Sequence, residues 1–233
     1  MTTAQNNKKN NSTMSTNTTP AGNCGCNAPK PSPAYPAQVT GMDILARALR
    51  MVGIDTMYGL VGIPVTDFSY IAQDRGIRFI GFRHEQQAGM AAATHGYLTA
   101  TPGVLLTVSS LGFLNGLTAT ANATVNCYPM IQISGSSVRE PIDLLQGTYE
   151  GLDQLNIAKP LVKAAYRVNK PQDIPTAVVR AYRAAISGRP GGVYLDVTTP
   201  CLGAIMDSAE AEKLFFEPVD LCPAAPPAPA AVT

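Results

Sequence analysis

Apolar positions along the chain switch between two periods, and the switches mark out alternating helices and strands. From Met42 to Met51 they recur at Ile44, Leu45, Ala48 and Leu49, with Val52 next, one helical face that Gly53 brings to a stop. Thr56–Val61 reads as a first strand, and Pro64 stands where proline opens a second helix. Ile77, Phe79, Ile80 and Phe82 form a buried strand that ends at Arg83-His84. Glu85 then heads a helix with small residues at Ala88, Gly89, Ala91, Ala92, Ala93 and Gly96, a pattern that requires another backbone to come close. Strand Gly103–Ser109, helix Gly112–Asn126, strand Met130–Ser134 and a helix around Leu152–Ala158 follow. Strand Ala164–Val168, helix Pro171–Ser187 and strand Gly192–Val197 complete the set. Short branched strands alternating with helices predict an α/β domain of three layers, a doubly wound sheet of about six parallel strands. No internal repeat interrupts the alternation.

The domain so predicted spans residues 37–203. Residues 1–36 are rich in Asn, Thr and Ser and then in Pro, with few large apolar side chains, and are expected to form a disordered leader. Residues 204–233 end in an Ala/Pro-rich run and are expected to be a linker to a further domain. A net charge of +1 gives no electrostatic footprint for nucleic acid or an anionic membrane. No stretch approaches the roughly 20 apolar residues of a membrane-spanning helix. Charged residues make up 14% of the chain, against about 25% in an average domain, which points to surface covered by partners. The five cysteines are odd in number and irregular in spacing, so no disulfide framework is expected, and Cys24-Gly-Cys26 lacks a second pair or a nearby histidine for a metal. With no apolar signal core and no Arg in the leader, the expected compartment is the reducing cytoplasm, with the peroxisome as the alternative.

Several common chemistries fail on spacing. Gly59-Leu-Val-Gly62 is not G-x-G-x-x-G, and no G-x-x-x-x-G-K-[ST] is present. His84-Glu85-Gln86-Gln87-Ala88 has alanine where H-E-x-x-H needs its second histidine. His95 reads as a packed or surface histidine, and Ser109-Ser110 has no accompanying Ser–His–Asp set. What remains is Glu85 at the carboxyl end of a strand, where open α/β sheets bind ligands. Three loops accompany it: Gly62-Ile63-Pro64, Ser109 to Phe113, and Ser134 to Ser137 running on to Tyr149-Glu150. Spacing leaves two roles open for Glu85. It is either a helix-start acid favoured by the macrodipole by about 0.3–1 kcal/mol, or a carboxyl group placed to hold and share a proton.

The runs GLVGIPVTDF, GIRFIGFRHEQQAGMAAA, GFLNGLTATANATVNCYPMIQISGSS, DLLQGTYEGLDQLNIAKP and SGRPGGVYLDV, in this order, resemble the first domain of the oxalyl-CoA decarboxylase family of thiamine-diphosphate enzymes. The resemblance covers about residues 41–200. It is shared in part by 2-hydroxyacyl-CoA lyase, but Gln146 to Gln154 and His84 look like the decarboxylase. It implies the pyrimidine-binding domain of the thiamine-diphosphate fold, acting in conversion of oxalyl-CoA to formyl-CoA and carbon dioxide. Glu85 would hydrogen-bond N1′ of the cofactor's aminopyrimidine, and Ile63 would support the cofactor or touch substrate. Tyr149 and Glu150 would lie near the oxalyl group, with Tyr149 also beside the cofactor. Arg189 matches a position that contacts ADP, an activator, although an arginine facing a helix end reads almost as well. The family has Ser-Ala-Pro-Gly-Phe where this chain has Ser109-Ser110-Leu111-Gly112-Phe113, so a turn beside the cofactor lacks its proline.

The family's diphosphate-binding domain holds Mg²⁺ through a Gly-Asp motif, and this chain has no Gly-Asp dipeptide. The resemblance therefore implies a fragment, a truncated gene product or half of a split enzyme, inactive without central and diphosphate-binding domains or a partner chain carrying them. It also implies a homodimer or homotetramer when complete. The alternatives are a fragment of a 2-hydroxyacyl-CoA lyase or a non-catalytic α/β partner-binding module.

Overall fold

The computed structural model describes residues 36–138, 142–144, 147 and 151–215. Six strands form one parallel sheet: β2 (Thr56–Gly59), β3 (Arg78–Gly81), β4 (Gly103–Thr107), β5 (Met130–Ser136), β6 (Ala164–Val168) and β7 (Gly192–Thr198), in spatial order β3-β2-β4-β5-β7-β6. The doubly wound sheet is thus as the alternation predicts. Its helices are α1 (Gly41–Met51), α2 (Thr66–Asp74), α3 (Glu85–Thr99), α4 (Leu111–Val125), α5 (Gln154–Ala158) and α6 (Ile174–Ile186).

Period-two alternation in the strands sends side chains to two separate cores. Val104 and Leu106 of β4, Ile131 and Ile133 of β5, and Val193 and Leu195 of β7 pack with α1, α2 and α6. Leu105 and Met130 face the other way, into the alanines of α3 and α4, while Tyr194 packs with Phe113 and Leu117 of α4 and with Ala158. Three layers result, with α3, α4 and α5 on one face. The small residues of α3 serve close approach: a Cβ on Gly89 would lie 2.4 Å from the Ala119 Cβ of α4, and one on Gly96 1.9 Å from the Pro129 carbonyl oxygen.

β2 leads through α2 to β3 on one side, and β4 leads through α4 to β5 on the other. The carboxyl ends of β2 and β4 therefore flank a topological switch point, where the chain leaves the sheet in opposite directions and a crevice opens.

Two local expectations are corrected. Pro64 does not open α2; the Ile63–Pro64 peptide is cis, and the helix starts at Thr66 after a turn in which the Val65 N–H donates to the Gly62 carbonyl. Residues 204–215 do not begin a linker. β8 (Ile205–Asp207) pairs antiparallel with β1 (Gln38–Thr40), joined to β7 by α7 (Thr199–Gly203). The short α8 (Ser208–Glu212) then buries Ala211, Glu212 pairs with Arg47 of α1, and the Arg47 guanidinium stacks on Phe215. Short three-residue strands carry little periodicity, so sequence spacing does not reveal them. Of the expected leader and linker, residues 1–35 and 216–233 lie outside the described residues.

Asp43 anchors α1 at both ends of a network. It caps the helix reciprocally with Thr40 and receives Arg75 from the end of α2 at 2.9 Å. Burial pushes its carboxyl up, but hydrogen bonds from Thr40 and Arg75 outweigh this and hold it below its ordinary 3.8. A folded-state value below the unfolded one contributes stability that is full above the unfolded value and lost as pH falls through the folded one. Asp43→Asn is therefore expected to destabilise the domain at pH 7 by about 1–3 kcal/mol. In urea melts the gap between the two proteins should narrow as the pH is lowered below about 4.

Candidate active site

Glu85 is the first residue of α3, with His84 as N-cap; the His84 Nδ1 accepts from the Gln86 N–H at 3.2 Å. Its side chain is turned inward, leaving the residue 6% exposed. The first turns of α4 close over it. Asn115 Nδ2 donates to Glu85 Oε2 at 3.0 Å, and a Cβ added to Gly112 would sit 3.1 Å from Oε1. Oε1 itself has no hydrogen-bond partner among the described residues.

Both roles left open by spacing meet the same cost of burial. Removing an ion from water costs several kcal/mol even after relaxation. The helix terminus returns about 0.3–1 kcal/mol, and a hydrogen bond to a charged group about 1.5–3 kcal/mol. Together these contributions are of the same order as the penalty, so burial is compatible with both roles. The acid stands at the carboxyl end of the sheet with one oxygen unpartnered among the described residues.

Of the three loops expected beside Glu85, the described parts of those after β2 and β4 meet at Val108, and the first of them rests on β5. Val108 after β4 is the hinge of the arrangement: its Cγ1 lies 2.5 Å from where a Cβ on Gly62 would be, and its Cγ2 2.4 Å from one on Gly112. A Cβ on Gly135 of β5 would lie 2.2 Å from Pro64 Cγ, so the loop after β2 rests on β5. Ser110 turns the chain from β4 into α4 with φ 56° and ψ −103°, a conformation that costs a non-glycine residue about 1–3 kcal/mol. Gln154, fully buried, holds the turn in place: its Oε1 accepts from the Ser110 N–H, and its Nε2 donates to the Gly135 carbonyl at 3.0 Å and to the Tyr194 hydroxyl at 3.1 Å. Burial pushes the Tyr194 phenol well above its ordinary value, so it stays neutral, accepting from Gln154 and sharing a hydrogen bond with Ser134 Oγ at 2.5 Å.

The remaining candidates divide. Ile63 is 73% exposed, so it is not a core isoleucine but an apolar side chain on the loop after β2. Tyr149 and Glu150 lie outside the described residues. Arg189 stands at the amino end of the sheet, remote from Glu85, where its Nη2 donates to the Val125 carbonyl at the end of α4 and its Nε to Cys127 Sγ, both at 2.9 Å. These are the contacts that the helix-end reading expects. His95 bonds the Tyr58 hydroxyl at 3.1 Å and packs edge-on against its ring, and Ser109 is fully buried. Sequence spacing does not single out Asn115 or Gln154 as site residues. The first lies one turn after Gly112 on the same face of α4, and the second closes the run Gln146 to Gln154; both stand within the motifs.

Comparison with known proteins adds an independent line. The family profile described as thiamine pyrophosphate enzyme, N-terminal TPP binding domain, matches residues 39–157. The chain is 58% identical over 193 residues to an oxalyl-CoA decarboxylase of Escherichia coli, covering 83% of this chain and 34% of that protein. It is 42% identical over 186 residues to a 2-hydroxyacyl-CoA lyase of Arabidopsis thaliana, covering 80% and 32%. Against the human 2-hydroxyacyl-CoA lyase 1 the figures are 39% over 160 residues, 69% and 27%. The chain thus spans about a third of the length of the relatives it matches.

Gln154→Leu would leave the Ser110 N–H and the Gly135 carbonyl without their partner in a dry setting. Each orphaned group costs about 1–3 kcal/mol, so chemical denaturation is expected to show a loss of at least that size.

Proposed function

Because the chain belongs to the thiamine pyrophosphate enzymes, as their N-terminal TPP binding domain, we propose that it forms the aminopyrimidine side of the active site of an oxalyl-CoA decarboxylase. The reaction converts oxalyl-CoA and a proton to formyl-CoA and carbon dioxide. The observation that carries this reading is the buried Glu85, one carboxyl oxygen of which has no partner among the described residues, at the switch point of the sheet. The setting suits a neutral aromatic ring: residues 86–138 contain no Asp, Glu, Lys or Arg, and the exposed side chains Ile63, Leu111 and Leu114 around the crevice are apolar.

When bound, thiamine diphosphate supplies a nucleophilic carbon and an electron sink for loss of carbon dioxide. Glu85 would hold and return a proton at a nitrogen of the pyrimidine ring, a task in which a positioned acid or base contributes about 10²–10⁴ in rate. Ile63 would meet the cofactor or substrate through apolar contact. Tyr149 and Glu150 would stand beside the oxalyl group, Tyr149 also beside the cofactor, and guide a proton to the formyl carbon; the resemblance of their surrounding motif supports this. The resemblance supports assigning the Mg²⁺ ligands to the part of the enzyme that matches the other two thirds of the relatives. Coenzyme A recognition is assigned to the same part. Assembly as a homodimer or homotetramer is supported by exposed Tyr97, Leu98 and Val125 on α3 and α4. Unpaired Cys127 and Cys201 are consistent with a reducing cytoplasm.

Fusion of this chain to the remaining two thirds of the Escherichia coli relative gives a testable enzyme. It is expected to release carbon dioxide from oxalyl-CoA and to leave 2-hydroxyacyl-CoA intact; the opposite preference would assign it to the lyases, whose identity to this chain is lower. Glu85→Gln should lower turnover at least 100-fold, and unchanged turnover would leave only the partner-binding module. ADP binding followed by calorimetry should weaken in Arg189→Ala, and equal affinity would remove the activator contact.

A further inference from the structure

We propose that Asn115 is a positioning residue that decides which oxygen of Glu85 carries the exchangeable proton. The inference rests on the cofactor reading above and concerns a residue that reading does not use. An amide nitrogen can only donate, so the 3.0 Å contact from Asn115 Nδ2 makes Oε2 an acceptor and bars a proton from its facing lone pair. Oε1, with no partner among the described residues, is then the oxygen that gains and loses the proton.

The sequence of α4 protects this arrangement. Gly112 leaves room at Oε1, since a Cβ there would already stand 3.1 Å from it, in tight contact. Asn115 follows three residues later, so both act on the two oxygens from one face of one helix turn. The turn is itself set by Ser110 and Gln154. Without the Asn115 donor the carboxyl group could rotate or protonate on either oxygen, and the productive form would be one of several.

The fused enzyme tests this with readouts other than turnover. Hydrogen–deuterium exchange at thiazolium C2 of bound thiamine diphosphate, with Mg²⁺ present, is measured by acid quench and proton NMR. Cofactor affinity is measured by calorimetry. Asn115→Leu is expected to slow exchange tenfold or more while affinity changes less than threefold, and Asn115→Gln, which keeps an amide on a longer arm, is expected to recover part of the rate. A loss confined to packing would instead lower affinity and exchange together. In the 15N-labelled chain without cofactor, the Asn115 side-chain amide protons should differ in shift, and Glu85→Ala should reduce the difference. Exchange at the parent rate in Asn115→Leu would overturn the proposal. Parent-rate exchange in Glu85→Gln would overturn the cofactor reading itself, which separates the two failures.

Discussion

A carboxyl group held out of water between two helix N-termini sets the terms for the surrounding structure. Glu85 can be buried only if α4 comes close enough for Asn115 to reach it, and α4 can come that close only because α3 and its neighbours are built from glycine and alanine. Interiors pack at crystalline density, so one added methyl group at Gly89 or Gly112 would force the helices apart. The small-residue pattern of α3 and the buried acid at its head are therefore one requirement.

Strain and satisfaction are distributed accordingly. Ser110 is held in a sparsely populated conformation at the entrance to α4. The buried amide of Gln154 over-determines it by tying the turn to β5 and to Tyr194. Functional sites concentrate such strain because the rest of the fold supplies the restraint. Elsewhere the domain follows ordinary rules: Asp43 meets Arg75, and the fully buried Asp196 meets Arg167 at 2.8 Å. Glu85 differs, having an amide as its partner and no cation among the described residues.

The resemblance, the family profile and the geometry converge from different directions. The first two rest on residue identities, while the third rests on distances and burial that no motif states. The profile's match, residues 39–157, includes Glu85 and the loops after β2 and β4. The resemblance and the geometry part at Arg189, which the motif associates with a nucleotide and the fold places at the far end of α4.

The order and type of the main elements were legible in the sequence, because periods of two and 3.6 record which faces of strands and helices are buried. β6 was legible to the residue, and the head of α3 at Glu85 likewise. The short β1–β8 pair was not, since three residues display no period and their pairing joins positions far apart in the chain. The same limit applied to the site. Sequence alone determined that an acid begins a helix of small residues after a strand, and left its role open. Only the tertiary structure decided that this acid is buried, that Asn115 occupies one of its oxygens and that Gln154 fixes the turn beside it. Hydrogen bonds between residues 30 or 44 positions apart depend on how layers stack, and stacking is a property of the whole fold.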